Sequence, residues 1–173
     1  MRDKNYYHRR RQQSLDKHAD YYLTYAEQYK QPTAAAYDAL EVELINILNG
    51  MQRAYDNQAW SMVRRFASAI SIPITGVLGV RGHWEQLHTC LGQAITAAQT
   101  EGHQQNEAAF LHNAAILAQD TGDYETARQR YEQALEIKEA LGDKAGLASS
   151  YHQLGWLAHN TGDYETARQR YEQ

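Results

Sequence analysis

The chain has 173 residues, a formal net charge of −4, 43% hydrophobic residues and only two prolines. This composition excludes global disorder and fits either one helical domain or one stacked array of repeats. A single cysteine, Cys90, excludes an intrachain disulfide and is expected to be a small core residue. Because no apolar run reaches membrane-spanning length and the N-terminus resembles no signal peptide, we expect a cytoplasmic setting.

The first predicted element is a basic N-terminal arm with a cap helix, residues 1–39. The arginine run at 9–11 fits a solvated arm or a contact with phosphate or an acidic partner. Asp and Glu outnumber Lys and Arg beyond residue 31, which argues against nucleic-acid binding by that part of the chain. Residues 17–28 predict an amphipathic helix. Its apolar side is expected to contain Ala19, Tyr22, Leu23, Ala26 and Tyr29.

Residues 40–104 are predicted to form degenerate helical units. Trp60 and Trp84 occupy the place that an aromatic residue takes in better-preserved units further along the chain. The segment around Pro73 predicts either a short buried helix or an irregular hinge. In the helical interpretation Ile74, Val77 and Leu78 face inward.

An internal repeat dominates residues 105–173. The thirteen residues TGDYETARQRYEQ occur at 121–133 and again at 161–173, an offset of forty. A fixed period in this range predicts a stack of two-helix units. Gly122 is expected to end a helix at positive φ, and Asp123 to cap the next one. In that next helix the predicted apolar face holds Tyr124, Ala127, Tyr131, Ala134, Leu135 and Leu141, and Tyr164 is expected to be buried in the same way as Tyr124.

These residues resemble the tetratricopeptide repeat, whose pattern combines aromatic residues, a Leu-Gly pair, an inter-helix glycine and a helix-packing alanine. The structural positions are Gly82, Trp84, Gly122, Tyr124, Ala127, Tyr131, Gly155, Gly162, Tyr164, Ala167 and Tyr171. The forty-residue unit is similar to the long-unit subclass found in many bacterial regulators. The resemblance implies an all-α, right-handed superhelical stack of antiparallel helix pairs, that is, a TPR-like α-solenoid.

The N-terminal half has a second resemblance. Residues 17–28 and 40–60 resemble the segment that follows the winged helix in bacterial signal-transduction ATPases of the STAND/NB-ARC type. No GxxxxGK[ST] phosphate loop occurs in the chain, so the resemblance implies only a sensor arm or a stand-alone relative. An ordinary cap helix accounts for residues 17–28 equally well.

The family resemblance implies that the first helix of each unit lines a concave face on which a protein or peptide partner binds. Trp156 is the expected apolar anchor, with His152 and Asn160 as hydrogen-bonding groups. Packing of Trp156 against a neighbouring unit is the alternative. The predicted contact residues are His112, Asn113, Ile116, Gln119, Asp120, Ser149, His152, Gln153, Trp156, His159 and Asn160.

Catalysis and metal binding have little support. His152 and His159 lie two helical turns apart, roughly 10 Å along the axis, which argues against shared coordination of one ion. No nucleophile elbow or phosphate loop occurs, so we expect no enzyme and no cofactor.

The second copy of the repeat ends at Gln173 without a polar capping helix, which predicts a truncated array with end-to-end self-association. The predicted function is a protein-interaction module for a protein or peptide partner, acting on neither nucleic acid nor membrane. The alternatives are the sensor or regulatory arm of a STAND-type ATPase or transcriptional regulator, a receptor for a small signalling peptide, and a self-associating scaffold.

Overall fold

The computed structural model describes residues 4–71 and 76–173. Within those ranges the chain forms ten helices and no strand, which confirms the predicted all-α fold of helix pairs. They are α1 Lys4–Gln28, α2 Ala34–Val42, α3 Leu44–Asp56, α4 Trp60–Ile70, α5 Val77–Val80, α6 Trp84–Thr100, α7 Gln104–Asp120, α8 Tyr124–Leu141, α9 Lys144–Asn160 and α10 Tyr164–Tyr171. Two compact units divide the chain, Met1–Gly82 and His83–Gln173, so their boundary falls inside the predicted 40–104 segment.

The first unit is organised around α1, which packs on α3 and α4. Ala19, Leu23 and Ala26 are buried, which confirms the apolar side predicted for this helix. The helix begins at Lys4, so the arginine run at 9–11 belongs to α1. On the outer side of the contact Arg65 Nη2 binds Glu27 Oε2 at 2.7 Å, which ties α4 to α1.

The short helix α5 closes the first unit. Val77 and Leu78 are fully buried in it, as the helical interpretation of this segment predicts. Pro73 and Ile74, which belong to the same prediction, lie outside the described residues.

Glycines at positive φ recur every twenty residues around the helices of the second unit. Gly82, Gly102, Gly122, Gly142 and Gly162 all have φ between 65° and 86°, and each lies at or just after the end of a helix. This backbone region is strained for residues that carry a Cβ, so glycine ends each helix at low cost. The Asp123 carboxylate then accepts the Thr126 amide at 3.1 Å, as predicted for the N-cap of α8.

The core of the second unit surrounds Tyr131, which is completely buried on α8. Leu154 and Leu157 of α9 pack in the same cluster, together with Ala115 of α7 and Ala127 of α8. The Tyr131 hydroxyl donates to Gln119 Oε1 at 3.3 Å, so the buried phenol keeps a hydrogen-bond partner. Cys90 is also buried, in the small-residue role predicted for it.

The prediction that Tyr124 and Tyr164 are buried was wrong. Their side chains are 39% and 66% exposed, and Trp84 at the equivalent position is 49% exposed. All three are the first residue of their helix. Because the Cα–Cβ bond of a helical residue tilts toward the helix N-terminus, a side chain at this position extends past the packed layer.

Candidate partner-binding surfaces

The predicted contact residues of α9 form one exposed row. Ser149, His152, Trp156, His159 and Asn160 are exposed, and their spacing of three or four residues places them on one side of the helix. Gln153, also predicted, is half-buried. The structure therefore brings most of the α9 set together on a surface that a partner can reach.

Trp156 lies in the middle of that row, with 37% of its side chain exposed. Its neighbours Gly155 and Leu157 are buried, so the backbone that carries the indole is held by the core. The His152 ring lies 5.7 Å from the Tyr171 ring, and the His159 ring lies 5.3 Å from the Tyr164 ring. Two imidazoles supported by tyrosines of α10 thus flank the tryptophan.

The equivalent set on α7 does not form such a surface. Asn113 is buried, and Ile116 packs against the Tyr131 cluster, so the prediction that both are free for a partner was wrong. Gln119 is half-buried and accepts the Tyr131 hydroxyl, and only Asp120 of this set is exposed. The cluster against which Ile116 packs contains Tyr131 of α8 together with Leu154 and Leu157 of α9.

His112 belongs to a polar cluster that sequence reasoning missed. Lys138 of α8 is buried, and its Nζ donates to Ser150 Oγ at 2.8 Å and lies 3.4 Å from His112 Nδ1. Burial, and to a smaller extent the Lys138 charge, lowers the pKa of His112 to about 4, so its imidazole is neutral at pH 7. Burial also lowers the pKa of Lys138, against the opposing effect of Asp143.

The sequence did contain a signal for this cluster. Lys138 follows Tyr131, Ala134 and Leu135 at helical spacing, so it continues the buried stripe of α8. A charged residue in that register is expected to need a polar partner inside the core.

The helix pairs of the second unit match one known family. The family profile described as the tetratricopeptide repeat matches residues 84–173, more than half of the chain and all of α6–α10. The chain is a tetratricopeptide repeat protein. A search of curated proteins gave no match.

Gly155 is the glycine of the Leu-Gly pair in the tetratricopeptide pattern, and the packing of α9 against α10 explains why this position holds glycine. A Cβ built on Gly155 would lie 2.7 Å from Cε1 of the Tyr171 ring, so only glycine lets α9 and α10 approach this closely. Ala167 is buried between the same helices.

Tetratricopeptide repeats generally mediate protein–protein interaction. None of the described helices is long and apolar enough to cross a membrane.

Proposed function

We propose that this tetratricopeptide protein binds a protein or peptide partner on the concave face that its first helices contribute, with Trp156 as the apolar anchor. The observation that supports the proposal is the exposed row on α9, in which a partly exposed tryptophan stands between hydrogen-bonding side chains. Tryptophan is enriched among the residues that dominate binding energy. Since its backbone is already held by buried neighbours, binding orders little additional chain.

The chemistry of the row fits a peptide backbone with one apolar side chain. The Trp156 indole offers apolar area for that side chain, while His152 and Asn160 can hydrogen-bond to peptide groups on either side of it. Asp and Glu outnumber Lys and Arg about two to one in residues 83–173, which favours a protein partner over nucleic acid. On this proposal the protein works in the cytoplasm.

The proposal is tested by selecting peptides from a random displayed library against the full chain and measuring their affinity by calorimetry. Trp156→Ala should weaken the selected peptides more than tenfold while the far-ultraviolet circular dichroism stays unchanged. The matched control is Tyr21→Ala, an exposed aromatic residue of α1 that belongs to neither α9 nor the second unit, which should bind as the wild type does. If Trp156→Ala lowers the melting temperature steeply and leaves affinity intact, the indole is a packing residue and the proposal fails.

Three other functions are alternatives to this proposal, and each has an observation that would favour it. A phosphate-loop ATPase encoded beside this chain would favour a sensor or regulatory arm in bacterial signal transduction. Selection of only short peptides that become fully enclosed would favour a receptor for a small signalling peptide. Mass that grows with concentration in sedimentation equilibrium would favour a self-associating scaffold.

A further inference from the structure

Two grooves of the second unit are built from equivalent repeat positions. The first lies between α6, α7 and α8 with a cavity of about 500 Å³, and the second lies between α8, α9 and α10 with about 250 Å³. The lining of each groove includes an aromatic side chain, a carboxylate, a leucine and an arginine. In the first groove, which we call the Trp84 groove, these residues are Trp84, Glu85, Leu117 and Arg130. The residues forty positions later line the second groove.

Among the positions at which the two grooves differ, one decides whether the carboxylate has an ion-pair partner. In the second groove Arg128 Nη2 binds Glu125 Oε1 at 2.7 Å. The same pair recurs one unit later, where Arg168 Nη2 lies 3.0 Å from Glu165 Oε1. In the Trp84 groove the position of this arginine is taken by His88, and the Glu85 carboxylate has no ion pair within the part of the chain that the structure describes.

The chain itself therefore shows what a glutamate at this repeat position binds. In two units it holds the guanidinium of an arginine three residues further along the same helix. The hydrogen bond from Arg128 lowers the pKa of Glu125, as expected for a carboxylate that pairs with a guanidinium. Glu85 has the same placement at the start of its helix and no internal arginine to fill that role.

The surroundings of Glu85 suit an arginine side chain that another molecule supplies. Trp84 is 49% exposed beside it, and an indole face attracts a cation. Leu91 and Leu117 in the lining are buried and apolar, and they offer a surface to the methylene stem of a long side chain. Of the ionised groups that line the groove, Glu85 and Asp123 outnumber Arg130, so the groove favours a positive guest.

We propose that the Trp84 groove binds an arginine side chain of a partner protein, with the guanidinium on the Glu85 carboxylate and against the Trp84 ring. Arg130, which also lines the groove, repels a second cation and favours an apolar or acidic residue next to that arginine. The site contains no residue of the Trp156 row, so it adds a second contact to the proposed function and does not depend on it.

The test is a nuclear magnetic resonance titration of the isotope-labelled full chain with the peptide acetyl-Ala-Leu-Arg-Leu-Ala-amide. The signal followed is the indole N–H of Trp84, assigned with Trp84→Phe. We expect saturable shifts at Trp84 and His88, and binding at least tenfold weaker for the same peptide with citrulline, the neutral isostere of arginine. Equal affinity for the two peptides would overturn the proposal, because the charge would then have no role.

A single substitution should close the site without removing its carboxylate or its aromatic ring. His88→Arg supplies the internal arginine of the other units, which should pair with Glu85 and weaken peptide binding at least tenfold. Thr96→Arg is the matched control, since it adds the same charge at an exposed position of α6 outside the groove and should bind as the wild type does. Peptide binding that survives His88→Arg contradicts the proposal.

Glu85→Gln keeps the shape of the groove and removes its charge, so it should show the same loss even if His88→Arg perturbs folding. Trp156→Ala, in contrast, should leave this titration unchanged. Failure of the arginine site and failure of the α9 surface are therefore distinguishable.

Discussion

The two identical stretches place the same tyrosine in two different environments. Tyr131 is completely buried, whereas Tyr171, forty residues later in the same thirteen-residue sequence, is 49% exposed. Tyr131 is surrounded by α7 and α9 and donates to Gln119, while Tyr171 meets Gly155 and His152 of α9. Burial at these positions is thus set by the neighbouring helices and not by the local sequence.

This difference predicts unequal mutational costs. Tyr131→Ala should lower the free energy of unfolding by roughly 3–5 kcal/mol, the usual cost of truncating a buried aromatic residue. Tyr171→Ala, its sequence-identical control, should cost about 1 kcal/mol, since half of the side chain already contacts water. Urea denaturation followed by circular dichroism measures both, and equal losses would contradict the difference in burial.

The His112 cluster predicts a pH dependence of stability. The folded pKa of about 4 lies below the ordinary value of 6.5, so between these values the unfolded chain binds more protons than the folded one. Stability should therefore decrease as the pH falls from 6.5 to 4, with His112 contributing on the order of 2–3 kcal/mol of that loss.

Replacing His112 with Gln removes the titrating group, so unfolding midpoints measured from pH 7 to pH 4 should fall less steeply in the variant. Comparison of the two proteins at pH 7 separates the cost of lost packing from the cost of protonation. Parallel pH profiles would show that His112 does not carry this dependence.

At the scale of the element, the sequence predicted the helices better than their exposed faces. Gly122 and Asp123 marked the loop before α8 correctly, because positive φ and N-capping depend on residues within one turn. The contact face of α7 was predicted poorly, since Asn113 is buried and Ile116 packs against residues distant in sequence. On α9 the same reasoning identified an exposed row, because Trp156 and its neighbours in that row lie outside the buried stripe that contains Leu154 and Leu157.

Close packing of α9 and α10 predicts opposite effects for two glycines. Gly155→Ala would place its Cβ within 3 Å of the Tyr171 ring and should destabilise the last helix pair. A Cβ added to Gly92 of α6 would meet no atom within 4 Å, so Gly92→Ala should stabilise the protein by roughly 0.5–1 kcal/mol.

Melting temperatures of the two glycine variants provide the comparison. Combining Gly155→Ala with Tyr171→Ala should restore part of the loss, because the clashing ring is then gone. If the double variant shows the simple sum of the two losses, the steric explanation is wrong.

At the scale of the whole molecule, only one of the two compact units has a family assignment. The tetratricopeptide profile begins at Trp84, directly beside the start of the second unit at His83. This unit has its own buried cluster around Tyr131 and its own set of capped helices. Residues 40–60, which resemble an ATPase-linked segment, fold in the first unit, and that resemblance stays a prediction.

The family profile and the second compact unit cover nearly the same residues, so we predict that residues 83–173 fold on their own. Expressed alone, this segment should show helical circular dichroism and a cooperative thermal transition, because stacked repeats are stabilised by their nearest neighbours. Tyr131→Ala in the same segment is the control and should lower the transition temperature. A segment that stays unfolded would mean that the first unit supplies part of its stability.

The recurrence of one loop geometry at the start of both identical stretches has a consequence for the gene. Thr121-Gly122 and Thr161-Gly162 have the same left-handed glycine and the same downstream aspartate cap. Unequal crossing-over between the two coding stretches would delete or insert forty codons and rejoin the chain at an equivalent turn. The daughter proteins would keep the left-handed glycine and the aspartate cap at the rejoined turn, so the number of hairpins can change without loss of either feature.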